Sequence, residues 1–260
     1  MNIFKQFYKS THSPRDIASF RFQGIGKTIL YVFFLSLISI IPSIVFLSTI
    51  LSTGIETSKN VLTNEIPSFS IENGILSADT EVPVIIEQED FTIILDPTGN
   101  ITEQKVGEEG NAFALLTDKF VVSAGGRIDT YPYTMLEGIY ISKDEVSNFI
   151  DILDGVKGII IPVMSFFIFL FSSAANFIEV SILALFGLFL KSLTGRNLKY
   201  RQQWRMAAYS ETLPTVFFTI MAAINTTVPN SFLINWFVAI IVLYLAINEI
   251  PKPKSKTVNP

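Results

Sequence analysis

The sequence contains no cysteine and a single histidine, His12, among its 260 residues. The absence of cysteine excludes disulfide scaffolds, iron–sulfur clusters, cysteine nucleophiles and zinc sites built from Cys and His ligands. Charge is also scarce, because 16% of the residues are charged, whereas about 25% is usual in soluble globular proteins. Hydrophobic residues make up 49% of the chain, and its mean hydropathy is +0.46. This composition is not typical of a soluble globular protein, and we expect no metal and no cofactor.

The few charges are separated along the chain. Residues 54–157 contain 19 acidic and 6 basic residues, whereas the rest of the chain contains 13 basic and 4 acidic residues. A single mixed domain would not separate its charges in this way, but a chain threaded through a membrane would, because basic loops stay in the cytoplasm. We therefore expect a membrane protein with an acidic segment outside and basic segments inside.

Long stretches almost without charge predict the membrane spans. A bilayer core of about 30 Å needs roughly 20 apolar residues in a helix. The first stretch, 28–53, is too long for the apolar region of a secretory signal peptide, and Pro42 inside it predicts a kink. The second, 158–190, is long enough for one tilted helix or for two short spans that turn near Ser172. One long helix is favoured, because only a single crossing returns the basic loop 191–205 to the cytoplasm.

The remaining apolar residues predict a membrane hairpin that is followed by a basic tail. Its two arms have 19 residues each and are separated by the polar segment 225–230. The sequence thus predicts an α-helical polytopic membrane protein with four transmembrane helices, an inserted, mainly antiparallel β domain outside the cytoplasm, and both termini inside. The predicted boundaries are 1–27 for a cytoplasmic interfacial segment, 28–53 for the first span, 54–157 for the acidic β-rich domain ending in a helix, 158–190 for the long second span, 191–205 for a basic cytoplasmic loop, 206–224 and 232–250 for the third and fourth spans, and 251–260 for a cytoplasmic tail.

Within the acidic segment, turn signals separate short apolar runs. Asn73-Gly74 is a strong two-residue hairpin signal. A second turn is expected at 96–100 (DPTGN) and a third near 117–119 (TDK), so we expect three strand pairs. Ser142 and Glu145 then match the capping box of a helix, which is expected to lead into the second span.

Polar side chains inside the predicted spans are the candidate functional residues. Glu179 lies 12 residues before Lys191, about 18 Å along the helix and thus near the middle of the bilayer. Ser172 and Asn176 share its helix face. A carboxyl group at this depth is costly and faces the interior of a bundle, as a proton- or cation-sensitive site or as a hydrogen-bonded acid that holds helices together. The structural role is favoured.

Glu211 is the second intramembrane candidate. It lies six residues after Arg205, about 9 Å into the third span, and Pro214 follows three residues later. Because this depth differs from that of Glu179 by about 9 Å, the two carboxyl groups are not expected to pair. Snorkelling, or a bond to the basic inner loop, is the favoured role for Glu211.

Several classes of function lack the residues that they require. No histidine and no aspartate lies in a predicted span, and the metalloprotease and P-loop motifs are absent. We therefore predict that the protein is not an enzyme and has no catalytic residues. Nucleic-acid binding is not expected, because membrane topology already explains the basic clusters. The basic and aromatic residues of 1–27 predict an interfacial helix on the anionic inner leaflet.

The whole chain resembles a family of bacterial membrane proteins, the domain of unknown function eleven-eighty-nine. The residues that carry the resemblance are Ser13-Pro14, FSIENGILS and IILDPTGN of the acidic segment, and YRQQWRMAAYSETLPTVF at the start of the third span. The last segment, with Tyr200, Tyr209, Glu211 and Pro214, is also distantly similar to the Yip-type membrane domain. The resemblance implies a location in a bacterial plasma membrane. Some relatives are labelled as maltodextrin-utilisation proteins, which implies a role near a sugar transporter.

Two functions are compatible with these features. The leading hypothesis is a non-enzymatic membrane accessory or sensor protein whose outer domain binds a ligand or a membrane-protein partner. The alternative is a small transporter or channel subunit that uses Glu179 and Asn176. In both cases the lipid bilayer surrounds the spans.

Overall fold

The computed structural model describes residues 1–88, 91–136 and 138–252. The chain divides into two compact units, which are described separately: Met1–Ser48 with Ile160–Pro260, named here the helical unit, and Thr49–Ile159, named here the sheet unit. The expected cytoplasmic tail, 251–260, lies outside the described residues from position 253 onward.

Helices dominate the described residues. In chain order they are α1 (Ile3–Ser10), α2 (Pro14–Phe20), α3 (Ile25–Asn64), α4 (Glu103–Glu108), α5 (Lys143–Thr194), α6 (Tyr200–Ser210), α7 (Thr212–Ala223) and α8 (Ser231–Asn248). Three of them, α3, α5 and α8, are long and apolar enough to cross a membrane. Both α3 and α5 extend well beyond the predicted spans, with 40 and 52 residues. The continuous α5 agrees with the interpretation of its apolar stretch as one helix.

The stretch 206–224, expected as the third span, is divided between α6 and α7. Glu211 lies between the two helices with φ −69° and ψ −11°. Pro214 has no N–H group, so in a single continuous helix the carbonyl of Ser210 would have no donor. A helix that begins at Thr212 places Pro214 in its first turn, where a missing N–H group is tolerated. The structure therefore corrects the expectation of one uninterrupted helix.

The core of the helical unit joins the N-terminal helices to the apolar ones. α2 packs against α6 and α8 and contributes the fully buried Ile17. Leu183 of α5 and Leu243 of α8 are fully buried in the same cluster. α2 begins at its expected cap, where the Ser13 hydroxyl accepts a hydrogen bond from the backbone N–H of Asp16 at 3.3 Å. The segment 1–27 is thus folded onto the helices and also exposes aromatic side chains such as Tyr8.

The sheet unit contains two sheets. The strands are β1 (Phe69–Glu72), β2 (Ile75–Ala78), β3 (Val84–Glu87), β4 (Thr92–Asp96), β5 (Ala112–Leu116), β6 (Lys119–Ala124), β7 (Arg127–Pro132) and β8 (Ile141–Ser142). One sheet has the order β2-β1-β8, and the other has the order β3-β4-β5-β6-β7. The β1–β2 hairpin turns at Asn73 and Gly74, which both have positive φ angles, of 52° and 79°. β5 and β6 pair across residues 117–118, so two of the three expected turns are confirmed as hairpins.

The expected turn at 96–100 is not a hairpin. β4 continues through α4 and returns as β5, which pairs with β4 in parallel. The Asp96 carboxylate accepts hydrogen bonds from the N–H groups of Thr98, Gly99 and Ile101, at 2.9, 3.1 and 2.6 Å. Thr102 then caps α4, with its hydroxyl accepting from the N–H of Lys105. These bonds direct the chain into a helix, so the domain is antiparallel except at this pair.

The start of α5 agrees with the expected capping box. The N–H of Glu145 donates to the Ser142 hydroxyl at 3.3 Å, and the Glu145 carboxylate accepts from the N–H of Ser142 at 2.9 Å. In the sheet unit, α3 and α5 are joined by Lys59, whose ammonium group lies 2.8 Å from Asp151 and 2.9 Å from Asp154. Hydrogen bonds to these two carboxylates raise the pKa of Lys59.

Candidate functional site

The polar face of α5 contacts α3 in the helical unit. The Ser172 hydroxyl lies 3.5 Å from the hydroxyl of Ser39. One turn further along, the Asn176 side chain donates to the Ser36 hydroxyl at 2.8 Å. The Ser36 hydroxyl in turn donates to the carbonyl of Val32 at 3.0 Å. Ser172 and Asn176 therefore share a face, as their spacing predicts, and link two of the helices that are long enough to span a membrane.

Glu179 continues this face and contacts α8. Its carboxylate oxygen Oε1 accepts a hydrogen bond from the side-chain amide of Asn235. Sequence reasoning missed Asn235 and Ser36, although a signal for Asn235 exists. It is the one amide side chain in the apolar stretch 232–247, and isolated amides in such a stretch usually bond to another helix.

Glu211 lies beside Glu179 in the folded structure. Glu211 is only 5% exposed, and its oxygen Oε1 has no hydrogen-bond partner among the residues that the structure describes. Both carboxyl groups line one small cavity, together with the side chains of Asn176 and Thr215 and the apolar residues Val32, Leu35 and Val180. The space open to the centre of a water molecule is about 10 Å³, which is room for roughly one water.

The expectation that depth separates Glu179 from Glu211 is therefore wrong. That estimate used Arg205 as a marker of the membrane surface, but Arg205 is buried and donates to the carbonyl of Arg21 at 2.8 Å. The helix begins at Tyr200 instead. Glu211 is 11 residues beyond Tyr200, or about 16 Å, which is close to the estimate of about 18 Å for Glu179.

The arrangement of the two carboxyl groups defines what this polar cavity can bind. None of the described residues that line it is basic. Two negative charges in a small, poorly solvated cavity repel each other strongly. A proton or a small cation between Glu179 and Glu211 would relieve that repulsion, and Asn235 already stabilises one of the two groups.

α6 approaches α5 closely at Gly187. Gln203 is fully buried, and its amide donates to the carbonyl of Gly187 at 3.0 Å. A Cβ atom at Gly187 would lie 2.6 Å from Oε1 of Gln203 and 3.2 Å from Cδ2 of Leu243. Only glycine fits this contact without movement of a neighbour.

The N-terminal segment and α3 are bound to α6 and α7 by hydrogen bonds. The Tyr209 hydroxyl lies 2.9 Å from Oε1 of Gln6 and 3.0 Å from Oε1 of Gln23. The hydroxyls of Tyr31 and Thr212 are 2.6 Å apart. Tyr209 thus links the N-terminal segment to α6, and Thr212 links α3 to α7.

The sheet unit contains a second and much larger cavity, of about 900 Å³. Its walls come from α3, α5, the 3₁₀ turn Tyr133–Leu136 and the strands of both sheets. Tyr133 in this wall is 2% exposed, and its hydroxyl has no hydrogen-bond partner within the described ranges. Burial, together with the negative charge of Asp118, raises the pKa of Tyr133, so its hydroxyl remains a hydrogen-bond donor.

Comparison with known proteins identifies the family. The model of the family described as "Protein of unknown function (DUF1189)" matches residues 4–247, and the chain therefore belongs to this family. No curated protein and no solved structure matches the chain. The family match includes both units and both cavities, but it assigns no activity to either.

Proposed function

We propose that this chain is a non-enzymatic accessory or sensor protein of the bacterial plasma membrane, with the sheet unit outside the cytoplasm as its ligand-binding part. The proposed topology has four spans and both termini in the cytoplasm. The separation of charge along the sequence supports it, together with the three helices that are long and apolar enough to span. α6 and α7 together cover Tyr200–Ala223, about 36 Å of helix, and form the proposed third crossing.

The observation that carries the proposal is the 900 Å³ cavity between α3, α5 and the sheets. Ligand pockets have volumes of about 300–1,000 Å³, so the cavity has the size of a ligand site. Its walls contain residues of α3 and α5, and both of these helices also contribute residues to the helical unit. A ligand in the cavity can therefore affect the helical unit through two continuous helices. The proposed membrane-protein partner is a sugar transport system, as the resemblance noted in the sequence implies.

The absence of cysteine allows a direct test of this coupling. Ser58 lines the cavity, and a single thiol introduced by Ser58→Cys can be alkylated with a long-chain maleimide, so that the cavity is filled covalently. Both tryptophans of the chain, Trp204 and Trp236, belong to the helical unit. We expect alkylation of Ser58→Cys to change tryptophan emission, whereas the same reagent on the exposed strand position Ser77, introduced as Ser77→Cys, should not change it. Equal emission before and after alkylation at position 58 would refute a sensor role.

The alternative function, a small transporter or channel subunit, has one specific observation in its favour. Glu179 and Glu211 share a cavity, and one carboxylate oxygen of Glu211 is unpartnered among the described residues. In proteoliposomes that contain a pH-sensitive dye, the transport hypothesis expects proton or cation flux that Glu179→Gln abolishes. A Glu179→Gln protein that assembles and gives the same flux as the parent would exclude a role of this carboxylate in transport.

A further inference from the structure

We propose that the cavity of the sheet unit binds one acyl chain of a membrane lipid. This inference rests on the proposed function and names the ligand class of its site.

The lining of the cavity selects an apolar chain. Of the described lining residues, none is charged, and only Ser58, Tyr131 and Tyr133 have polar atoms in their side chains. A sugar, a nucleotide or an extended peptide would bring many hydrogen-bonding groups into a space that offers almost no partners, and burial of unpaired polar groups is unfavourable. A hydrocarbon chain has no such groups, and it gains by leaving water.

Tyr133 gives the cavity an apolar wall. It lines the cavity, but its hydroxyl oxygen is inaccessible even to water, so the hydroxyl does not reach a ligand there. The surface that a ligand meets is therefore almost entirely hydrocarbon, which suits the acyl chain of a lipid.

The opening of the cavity is apolar too. Ile50, Phe113, Tyr131 and Met135 line the cavity and are each more than two-fifths exposed. Ile50 belongs to the uncharged run 28–55, which predicts the first span. The cavity wall is thus continuous in sequence with a surface that we place against lipid. None of these exposed lining residues is charged, so an acyl chain meets no charged side chain among them.

Gly54 allows a bulky side chain to be placed in the cavity by a substitution whose Cβ atom meets no neighbour. It lines the cavity within α3, and a Cβ atom added there meets no heavy atom within 4 Å. Gly155 is the matched control. It also lies in a helix of the sheet unit and has open space at its Cβ position, but it does not line the cavity. Gly54→Phe should therefore obstruct part of the site, and Gly155→Phe should leave it intact.

The test measures lipid binding to the full chain in detergent. We expect saturable, one-to-one binding of the fluorescent polyene fatty acid cis-parinaric acid to the parent and to Gly155→Phe. We expect several-fold weaker binding to Gly54→Phe, because its side chain obstructs part of the cavity. Native mass spectrometry of the parent should also show a retained acyl lipid after detergent exchange.

Three results would overturn the inference. The first is the absence of saturable fatty-acid binding to the parent, which does not depend on any variant. The second is equal binding to the parent and Gly54→Phe. The third is a dimer of the parent that Gly54→Phe dissociates, because the occupant would then be a second copy of the chain.

Failure of this inference can be distinguished from failure of the proposed function. If fatty acid does not bind but alkylation of Ser58→Cys still changes tryptophan emission, the ligand class is wrong and the sensor role stands. If fatty acid binds but emission does not respond to alkylation, the lipid site stands and the sensor role fails.

Discussion

Gly187 offers the sharpest test of the packing in the helical unit. Gly187→Ala places a Cβ atom 2.6 Å from Oε1 and 3.0 Å from Cδ of Gln203, and 3.2 Å from Leu243. Gln203 has no exposed surface, so it cannot move into solvent. Overpacking of a dense core costs about 1–3 kcal/mol. Displacement of Gln203 also breaks its bond to the Gly187 carbonyl, and an interhelical bond in a membrane bundle contributes about 0.6 kcal/mol.

A gain in helix stability opposes these costs. Alanine in a helix interior is favoured over glycine by roughly 0.5–1 kcal/mol. The net expectation for Gly187→Ala is therefore a loss of about 1–3 kcal/mol in the free energy of unfolding. The control is Gly158→Ala in the same helix, where a Cβ atom meets nothing within 4 Å. That substitution should leave the protein unchanged or stabilise it by up to about 1 kcal/mol.

Unfolding in detergent can be followed by tryptophan fluorescence. Trp204 neighbours Gln203 in α6, and its indole N–H donates to the Ser181 hydroxyl at 3.1 Å. A double variant, Gly187→Ala with Gln203→Ala, removes the obstructing side chain, so its loss should be smaller than the sum of the single losses. The proposed clash between a Cβ atom at position 187 and Gln203 would be refuted if Gly187→Ala were as stable as the parent. It would also be refuted if the loss of stability in the double variant equalled the sum of the two single losses.

Three further predictions concern other parts of the chain. Burial would raise the pKa of Asp96, but the hydrogen bonds to its carboxylate outweigh this effect and lower the pKa. The stabilisation that charged Asp96 gives to the sheet unit is therefore complete above the pKa of the unfolded chain, about 4. It is lost as the pH falls through the lower pKa of the folded protein. Asp96→Asn should cost about 1–3 kcal/mol at neutral pH and reduce this acid sensitivity, as measured by circular dichroism against pH. Tyr209→Phe should destabilise the helical unit by about 1–3 kcal/mol, because it removes the hydroxyl that lies within hydrogen-bond distance of Oε1 of Gln6 and Oε1 of Gln23. Thermal unfolding checks this. Reporter fusions at Glu103 and Lys199 should lie on opposite sides of the membrane, and fusions on the same side would exclude the four-span topology.

Local sequence signals predicted the features that depend on neighbouring residues. The Asn73-Gly74 hairpin needs two positive φ angles, which these residue types adopt readily. The capping box at Ser142 and Glu145 depends on only four consecutive residues. The apolar stretches of α3, α5 and α8 are recognisable from composition alone.

Features that depend on distant residues were not predictable in the same way. The parallel pairing of β4 with β5 depends on the helix between them and on the bonds that Asp96 makes with its own loop. The shared cavity of Glu179 and Glu211 depends on where α6 begins, because a depth counted from Arg205 starts from a buried residue. The 900 Å³ cavity is formed by segments from residue 50 to residue 153, and no local pattern predicts a space between them.

The beginning and end of the β-rich segment meet at one point of the sheet unit. β1 pairs with β8, and the Lys143 ammonium group donates to the carbonyl of Ile66 at 2.6 Å. A segment whose two ends are adjacent can be inserted into a chain, or removed from it, with little disturbance of the rest. Residues 67–142 therefore form an insertion between α3 and α5. A short glycine-rich linker in their place should leave a helical protein that still inserts and assembles, while the walls that the strands give to the apolar cavity would be gone.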